Sequence, residues 1–491
     1  MARRDYYAIL SLLVPLLIYI LTLDGAIRDN GEGSSILGLQ YALWSTHALS
    51  LGNNQTLGVQ SVDLAYYHGS YYSAVSPGFG ILSLPFASVG FALDGGHLLA
   101  FGYAPVMDEL FSAVCCSLAC LVVYRACLLY APRAPSFLAS LALAFGTTVW
   151  PVTTIIFPQG ASILFSTLAV YFVLRSTRGV GGDRGLILGG FSLGLATFVE
   201  YAAGLFVVPL AAYLLASGAG ARRVAKLIIP FFAGPAAQLA YNFTAFGNPL
   251  LFPEALKVGA GGSDILSRFD FAQVPLHALY YLESPYRGLL FFSPIAFVGF
   301  VWIIFARRSG DSMIRRDSLL FAVLFLEVLL FYSAWDGWDG GLFYGPRFLV
   351  LGLPYLMIPI SILISASASK VIKLSLPGLF AVSSFIQGAG ALTSAYSVSG
   401  STRTYQPAAL NMPWLMQGKL DTWWLNSLGV GGELGLVFAA ALIGSIWAIF
   451  FVADRNFSMS RPPSLTPAAT PDRGMSRIRR LMRQPSGNGV T

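Results

Sequence analysis

The sequence predicts an all-α, polytopic membrane protein with about twelve transmembrane helices and with juxtamembrane helices in its first outer loop. Of 491 residues, 56% are hydrophobic and only 11% are charged, and the mean hydropathy is +0.67. Apolar runs recur along the chain, and charge alternates between the loops that join them. Soluble domains carry about 25% charged residues, so this composition excludes a soluble enzyme, a disordered chain and a coiled coil.

Twelve apolar runs approach or reach the roughly 17–25 residues that a helix needs to cross a bilayer. They are 6–23, 110–130, 136–150, 159–175, 185–199, 201–217, 226–245, 288–306, 318–335, 347–367, 374–395 and 431–453. The first is read as an uncleaved spanning helix, because it is longer than the apolar core of a signal peptide. A further run, Phe79 to Leu93, is short and is interrupted by Pro85 and Gly90. We predict a juxtamembrane or re-entrant helix there.

The loop charges predict the orientation. When the loops are assigned alternately from an inner N terminus, 23 of the 30 basic residues fall inside and 16 of the 23 acidic residues fall outside. The positive-inside rule then places both termini in the cytoplasm of a multi-pass plasma-membrane protein. Three long loops lie outside, at 24–109, 246–287 and 396–430. Because most polar residues lie in these outer loops, we expect an extracytoplasmic active site.

Two regions are expected along the chain: a transmembrane domain at 1–453 and a basic, proline-containing cytoplasmic tail at 454–491. We expect the tail to be disordered and to favour contact with anionic lipid headgroups. No aromatic residue follows Phe457 to stack on bases, so no nucleic-acid partner is expected.

The first outer loop begins with three carboxylates, Asp24, Asp29 and Glu32, within nine residues. Ser34 to Leu49 follows with the pattern of an amphipathic helix that lies along the membrane surface. A carboxylate held at this boundary can act as a general base toward a hydroxyl. The alternative is an ordinary solvated loop in which Glu32 or Ser34 caps the helix.

An aromatic segment comes next. It reads Asp-x-x-x-Tyr-x-Gly-x-Tyr-Tyr-Ser-x-x-x-Pro-Gly from Asp63 to Gly78, and it includes His68, Tyr71 and Tyr72. Tyrosine rings stack on sugar faces, and they also form aromatic belts at membrane interfaces. Both interpretations remain open from composition alone.

The order of a spanning helix, an acidic outer loop, an amphipathic helix and this aromatic motif resembles the GT-C superfamily of membrane glycosyltransferases. The resemblance is to the branch of protein mannosyltransferases and aminoarabinose transferases, which use dolichyl- or polyprenyl-phosphate sugars. Four later segments are similar to the same branch: Phe198–Tyr201, Tyr241–Pro249, Ser284–Pro294 and Trp335–Phe348. Together the similar segments cover about 25–350.

The resemblance implies which residues take part. A carboxylate early in the first outer loop deprotonates the acceptor, and the matching residues are Asp29, which we prefer, and Glu32. Asp24 is the third choice. Asp63, Tyr71, Tyr72, Glu200, Asp336 and Asp339 are expected to bind substrate.

The donor phosphate needs cationic stabilisation as it leaves. Arg347, Arg287 and His68 are the candidates for this contact, because few basic residues lie outside. Relatives often carry a lysine just before the Pro-Pro or Pro-Gly element, where this chain has Val75 and Ser76. That contact is therefore lost, or one of the three candidates supplies it.

No cofactor is expected. Asp336 and Asp339 belong to a repeated Trp-Asp-Gly unit, which suits a divalent ion, sugar hydroxyls or simply a glycine-rich turn. Two carboxylates without a further ligand give weak support for a metal ion. The four cysteines fall in one apolar run and are interpreted as packing residues.

The sequence therefore predicts inverting transfer of a sugar from a lipid-phosphate-linked donor to an acceptor hydroxyl at the outer face. The acceptor stays open between a protein, a lipid and a wall glycan. The alternatives are a lipid or solute transporter, which would place polar residues at mid-membrane, and a non-catalytic scaffold with the same fold.

Overall fold

The apolar runs form helices, since a helix satisfies its own backbone hydrogen bonds where no water is present. The computed structural model describes residues 5–26, 31–52, 63–99, 101–258, 265–366, 370–395 and 405–459. In this part of the chain the one sheet is a two-stranded antiparallel hairpin, β1 (Leu64–Tyr67) with β2 (Ser70–Ser73). The predicted all-α class is confirmed.

The α-helices follow in chain order. They are α1 Tyr6–Leu21, α2 Gly31–Ser45, α3 Pro77–Leu93, α4 Tyr103–Cys127, α5 Arg133–Phe145, α6 Val149–Val152, α7 Gln159–Thr177, α8 Gly182–Val199, α9 Val207–Ala216, α10 Ala221–Phe231, α11 Ala233–Phe246, α12 Val274–Glu283, α13 Leu289–Phe292, α14 Ala296–Ala306, α15 Ser312–Ala334, α16 Leu353–Ala366, α17 Lys370–Thr393, α18 Met412–Met416, α19 Trp423–Leu428 and α20 Glu433–Met459. Shorter 3-10 turns include Tyr201–Phe206, Pro253–Leu256, Ile265–Arg268, Phe271–Gln273 and Arg347–Gly352.

Within the described residues, seven helical segments are long and apolar enough to cross a membrane, and five shorter apolar helices accompany them. Every predicted run contains helix, although several are split; 226–245, for example, becomes α10 and α11. The number twelve therefore stays a prediction. The last helix, α20, continues six residues past the predicted domain end, to Met459, and residues 460–491 of the predicted tail lie outside the described part.

The charged side chains fall into two groups. Each ion pair among the described residues joins loops that the charge analysis placed on the same side. One group contains Asp5 with Arg125 and Arg133, Asp183 with Arg223 and Lys226, and Asp317 with Arg178 and Arg316. The other contains Lys257 with Asp63, Arg268 with Asp336, and Arg347 with Glu32. The fold thus has two polar ends, and the candidate residues gather at the second end.

The first outer loop contains the expected juxtamembrane helices, but α2 does not lie on a surface. From Gly31 to Gln40 every residue of α2 except Glu32 is buried. The amphipathic interpretation of 34–49 is corrected here. α3 packs against α2, with Gly80 facing Ile36 and Leu39, and Gln40 donates to the Gly80 carbonyl and to Ser83 Oγ. α3 packs in turn against α4, so α2 is enclosed by the protein instead of lying on a membrane surface.

Two glycines allow α8 and α11 to cross with their backbones in contact. A Cβ on Gly234 would lie 1.8 Å from the carbonyl oxygen of Gly194, and one on Gly194 would lie 2.5 Å from that of Phe231. Small residues at crossings of this kind are typical of membrane bundles. The crossing fixes the end of α8 that leads to Glu200.

Candidate active site

An ion pair between Glu32 and Arg347 lies at the second polar end, among the candidate residues. Arg347 Nη1 donates to Glu32 Oε2 at 2.5 Å, and Arg347 Nε donates to the Gly340 carbonyl at 3.0 Å. The two side chains are 12% and 17% exposed, so solvent screens the pair only partly. Glu32 belongs to the first turn of α2, and Arg347 opens the turn before α16. Two segments that resembled the same family are thus joined directly.

Aromatic rings hold the Arg347 guanidinium in a fixed plane. Its central carbon lies 4.2 Å from the ring centroid of Phe157 and 4.6 Å from that of Phe348. These are cation–π distances, and arginine is the side chain best suited to such stacking. Phe348 stacks in turn on Tyr332, with centroids 4.3 Å apart and planes 2° from parallel. This aromatic layer connects the arginine to the next carboxylate.

That carboxylate is Glu200, at the end of α8. It accepts hydrogen bonds from Ser162 Oγ and Tyr332 OH, and Gln159 Nε2 lies 3.5 Å away. Glu200 is 6% exposed, and a buried carboxylate needs such donors. The sequence drew attention to Glu200, but it gave no sign that Gln159, Ser162 and Tyr332 would surround it.

The Ser76-Pro77-Gly78 segment docks onto the residues before Glu200. Ser76 Oγ donates to the Phe198 carbonyl at 2.5 Å. A Cβ on Gly78 would lie 2.1 Å from that same oxygen, so only glycine allows this approach. Just before the Pro-Gly element, where the resemblance leads us to expect a lysine, Ser76 thus uses its hydroxyl to bind backbone.

The hairpin carries the aromatic candidates. Tyr67 and Tyr72 pack on Phe246 with ring centroids 5.5 and 5.0 Å apart, and Tyr71 packs on Tyr66. Asp63, just before β1, forms an ion pair with Lys257. These contacts anchor the hairpin to α11 and to the outer loop that follows it.

His68 lies in the turn of the hairpin. Its side chain is exposed and stacks on Tyr67 at 3.9 Å between centroids. Among the described residues, the ring contact of His68 is with Tyr67 and does not involve Arg347. A role in donor phosphate binding therefore stays a prediction that the geometry does not favour.

Arg287 is buried, with 1% of its surface exposed. Its five N–H groups are matched by the carbonyls of Asp339, Phe343 and Gly341, by Gln406 Oε1 and by the Tyr286 hydroxyl. A guanidinium has five donors, so none is left for a phosphate in this conformation. Arg287 instead fixes the loop that carries Asp339 and leads to Arg347.

Asp336 and Asp339 face different partners. Asp336 receives two hydrogen bonds from Arg268, at 3.0 and 3.1 Å. Asp339 accepts from Tyr286 OH and from the Gly341 amide, each at 3.1 Å. In the described part of the chain, no three His, Cys, Asp or Glu side chains come together as metal ligands. These contacts support the interpretation in which Asp336 and Asp339 shape a glycine-rich turn.

Asp29, the preferred base, lies outside the described residues, as do 27, 28 and 30. Two neighbouring carboxylates of α4, Glu109 and Asp108, accept hydrogen bonds from residues before and after this segment. The Gly25 amide donates to both oxygens of Glu109, at 3.1 and 2.9 Å. Gln40 of α2 donates to Asp108 Oδ1 at 2.9 Å. No motif pointed to Asp108 and Glu109, although two acids at the start of an apolar run are a signal in themselves.

A further carboxyl group, Glu254, lies in the outer turn Pro253–Leu256. Burial raises its pKa to about 7; the charges of Lys257 and Arg268 oppose this rise, and those of Asp63 and Glu32 add to it. The group is half-buried. It therefore shares the electrostatic environment of the Glu32–Arg347 pair, and no motif pointed to it.

Comparison with known proteins supports a membrane transferase fold. Residues 100–241 match the sequence family described as dolichyl-phosphate-mannose-protein mannosyltransferase, which is less than a third of the chain. No curated protein matches the sequence.

Two solved structures are similar in fold. ArnT from Cupriavidus metallidurans, solved with bound undecaprenyl phosphate, superposes with a TM-score of 0.54 at 12% identity, over 92% of this chain and 77% of that one. The oligosaccharyltransferase AglB from Archaeoglobus fulgidus, solved with an inhibitory peptide and a dolichol-phosphate, gives 0.47 at 12% identity, over 99% of this chain and 61% of that one. The likeness to ArnT is one of fold.

Proposed function

We propose that this chain, a multi-pass membrane protein with the fold of the GT-C glycosyltransferases, transfers a sugar from a polyprenyl- or dolichyl-phosphate donor to an acceptor hydroxyl at the outer face. The observation that carries the proposal is the Glu32–Arg347 pair. It sets a stacked, half-buried arginine against the first outer loop, where Asp29 lies three residues before Glu32.

The step consists of one bond formed and one broken. The acceptor oxygen attacks the anomeric carbon, and the bond from that carbon to the phosphate oxygen breaks. The acceptor proton passes to a carboxylate of the enzyme, and the lipid phosphate leaves with the bonding electron pair. Attack from the side opposite the phosphate inverts the anomeric configuration.

Asp29 is the better base of the two candidates. The carboxylate of Glu32 is already engaged by the Arg347 guanidinium at 2.5 Å, so it is less available to an acceptor hydroxyl. Glu32 is thus better suited to holding Arg347 in position. Asp29 is left to accept the proton.

Arg347 is the group that binds the leaving phosphate. Its planar guanidinium gives phosphate a two-pronged contact that lysine lacks. The rings of Phe157 and Phe348 fix its plane before the donor arrives, so little reorganisation is required. Arg287 acts as a positioning residue, through the loop that it fixes.

The test is sugar transfer by the full chain in liposomes, with a panel of radiolabelled polyprenyl-phosphate sugars and membrane extract as acceptor. We expect Asp29→Asn and Arg347→Gln to lower the rate roughly 10²–10³-fold, the size typical for removal of one stabilising group. Glu283→Gln is the matched control, because it removes an exposed carboxylate that has none of the proposed roles. Thermal unfolding checks that each variant folds.

Transfer by wild type that persists unchanged in both Asp29→Asn and Arg347→Gln would reject the assignment of these roles. Donor binding without transfer from any sugar in the panel, in folded protein with a range of acceptors, would favour the non-catalytic scaffold. Movement of the labelled donor across the bilayer without transfer would favour a transporter.

A further inference from the structure

A pocket opens between α14 and α15 at the polar end opposite the candidate active site. Its volume is about 260 Å³, and its walls are Ile303, Arg307, Arg315, Ser318, Leu319 and Ala322. These residues lie at or near the ends of the two helices, whereas the active-site loop begins past the other end of α15, at Trp335. The 23 residues of α15 correspond to roughly 34 Å at 1.5 Å per residue. The pocket is therefore separate from the site described above.

The polar groups of the pocket are two arginines and a hydroxyl. Ser318 is 2% exposed, and its Oγ makes no hydrogen bond to the described residues. Arg315 is fixed by a 2.5 Å bond from Nη1 to the Ser309 carbonyl, and the side chain of Arg307 is exposed. A buried hydroxyl without a partner is costly, so the pocket offers donors to an acceptor that the protein itself does not supply.

The nearby acids are already engaged. Asp311 caps α15 by accepting from the Met313 amide at 2.8 Å. Asp317 is buried and accepts from Arg178, Tyr130 and Tyr213. Neither acid lines the pocket, so the two arginines leave it with a net positive charge.

Apolar side chains continue from the pocket along both helices. Val301, Ile304 and Phe305 are exposed on α14, and Leu319, Leu326 and Leu330 are exposed on α15. In a spanning bundle such residues face lipid. A cationic pocket with exposed apolar side chains on both of its helices suits one headgroup with two acyl chains.

We propose that this pocket binds the phosphate headgroup of a diacyl anionic phospholipid. Arg307 and Arg315 pair with the phosphate oxygens, and the Ser318 hydroxyl donates the third hydrogen bond. Basic pockets between spanning helices bind anionic headgroups in this way. The proposal is independent of the catalytic assignment, because it concerns the other end of the bundle.

The test measures retained lipid by native mass spectrometry of the full chain, purified from vesicles of phosphatidylcholine with added phosphatidylglycerol. We expect wild type to retain phosphatidylglycerol selectively. The double variant Arg307→Gln/Arg315→Gln should bind it roughly 25-fold more weakly, at about fivefold per arginine. Ser318→Ala, which removes only the hydroxyl, should weaken binding roughly fivefold.

The matched control is Arg222→Gln/Arg308→Gln, which removes two exposed charges from the same end but outside the pocket. The control should retain the lipid as wild type does, and thermal unfolding in phosphatidylcholine verifies that all variants fold. Equal loss in the two double variants would overturn the proposal in favour of diffuse surface charge. Unchanged retention in Arg307→Gln/Arg315→Gln would also overturn it. Displacement of phosphatidylglycerol by equimolar undecaprenyl phosphate would overturn the diacyl assignment.

Discussion

At the scale of single residues, Glu32 and Arg347 depend on each other. Each is mostly buried, so removing one partner leaves the other charge poorly solvated. We expect Arg347→Gln to lower the free energy of unfolding by roughly 2–3 kcal/mol. Adding Glu32→Gln should restore part of the lost free energy of unfolding, because it removes the carboxylate that has no partner in Arg347→Gln.

Thermal or denaturant unfolding of the two single variants and the double variant measures this coupling. Residues in direct contact typically give interaction energies of about 0.5–3 kcal/mol. Strictly additive effects would mean that the pair is not formed in the membrane-embedded protein.

Glu254 gives a prediction about pH. Its pKa in the folded protein is about 7, against an ordinary value of 4.5. Between these values the folded state holds more protons than the unfolded state, so stability falls as the pH rises through this window and levels off above it. We expect Glu254→Gln to be more stable than wild type by roughly 1–3 kcal/mol at pH 8 and equal to it near pH 4.

The measurement is the melting temperature of both proteins across pH 4–8. Glu283→Gln, which removes the same charge from an exposed outer position, serves as the control. A constant difference between Glu254→Gln and wild type at every pH would show that the substitution acts through packing and not through titration.

At the scale of elements, the docking of α3 onto the end of α8 sets the distance between two site segments. Gly78→Ala places a methyl group 2.1 Å from the Phe198 carbonyl oxygen, so the backbones must separate. We expect this variant to lose activity by at least about tenfold, since displacements of this size matter at active sites.

Gly80→Ala is the control from the same helix, because its methyl group would lie 3.6 Å from Ile36 and Leu39, which is ordinary contact. Transfer rates and melting temperatures of both variants are compared. Similar activity in the two would show that the close approach at Gly78 is not needed by the site.

The sequence predicted where the helices lie along the chain better than it predicted which residues surround them in the fold. Apolar runs identified the helices because hydropathy and length are local properties. α3 runs unbroken through Pro85 and Gly90, and its juxtamembrane or re-entrant position stays a prediction. The sequence wrongly placed α2 on a surface, because whether Gly33 and Gly38 face water or another helix depends on distant segments. For the same reason Glu200 was identified, whereas its partners on α7 and α15 were not.

At the scale of the whole molecule, the four cysteines allow a test of orientation. All are buried, at 115, 116, 120 and 127, so an impermeant maleimide should leave wild type unmodified in intact cells. Single cysteines at exposed positions then report each face. We expect Ser427→Cys to be labelled from outside and Ser312→Cys only after the cells are opened.

Labelling of Ser312→Cys in intact cells, with Ser427→Cys protected, would reverse the orientation that the charges predict. Labelling of both from outside would mean that the two polar ends do not lie on opposite sides. Wild type labelled to the same extent as the variants would show that the cysteine segment is open to solvent.

The separation of Glu32 and Arg347 along the chain determines when the site can form during synthesis. Glu32 and Arg347 are 315 residues apart. Glu32 therefore leaves the ribosome long before Arg347 is synthesised, and most of the helices are made and inserted in between. A chain that stops before residue 347 cannot complete the centre, however well its first helices have assembled. The proposed transfer therefore requires synthesis past residue 347, and a chain that ends before it is expected to bind or use no donor at this centre.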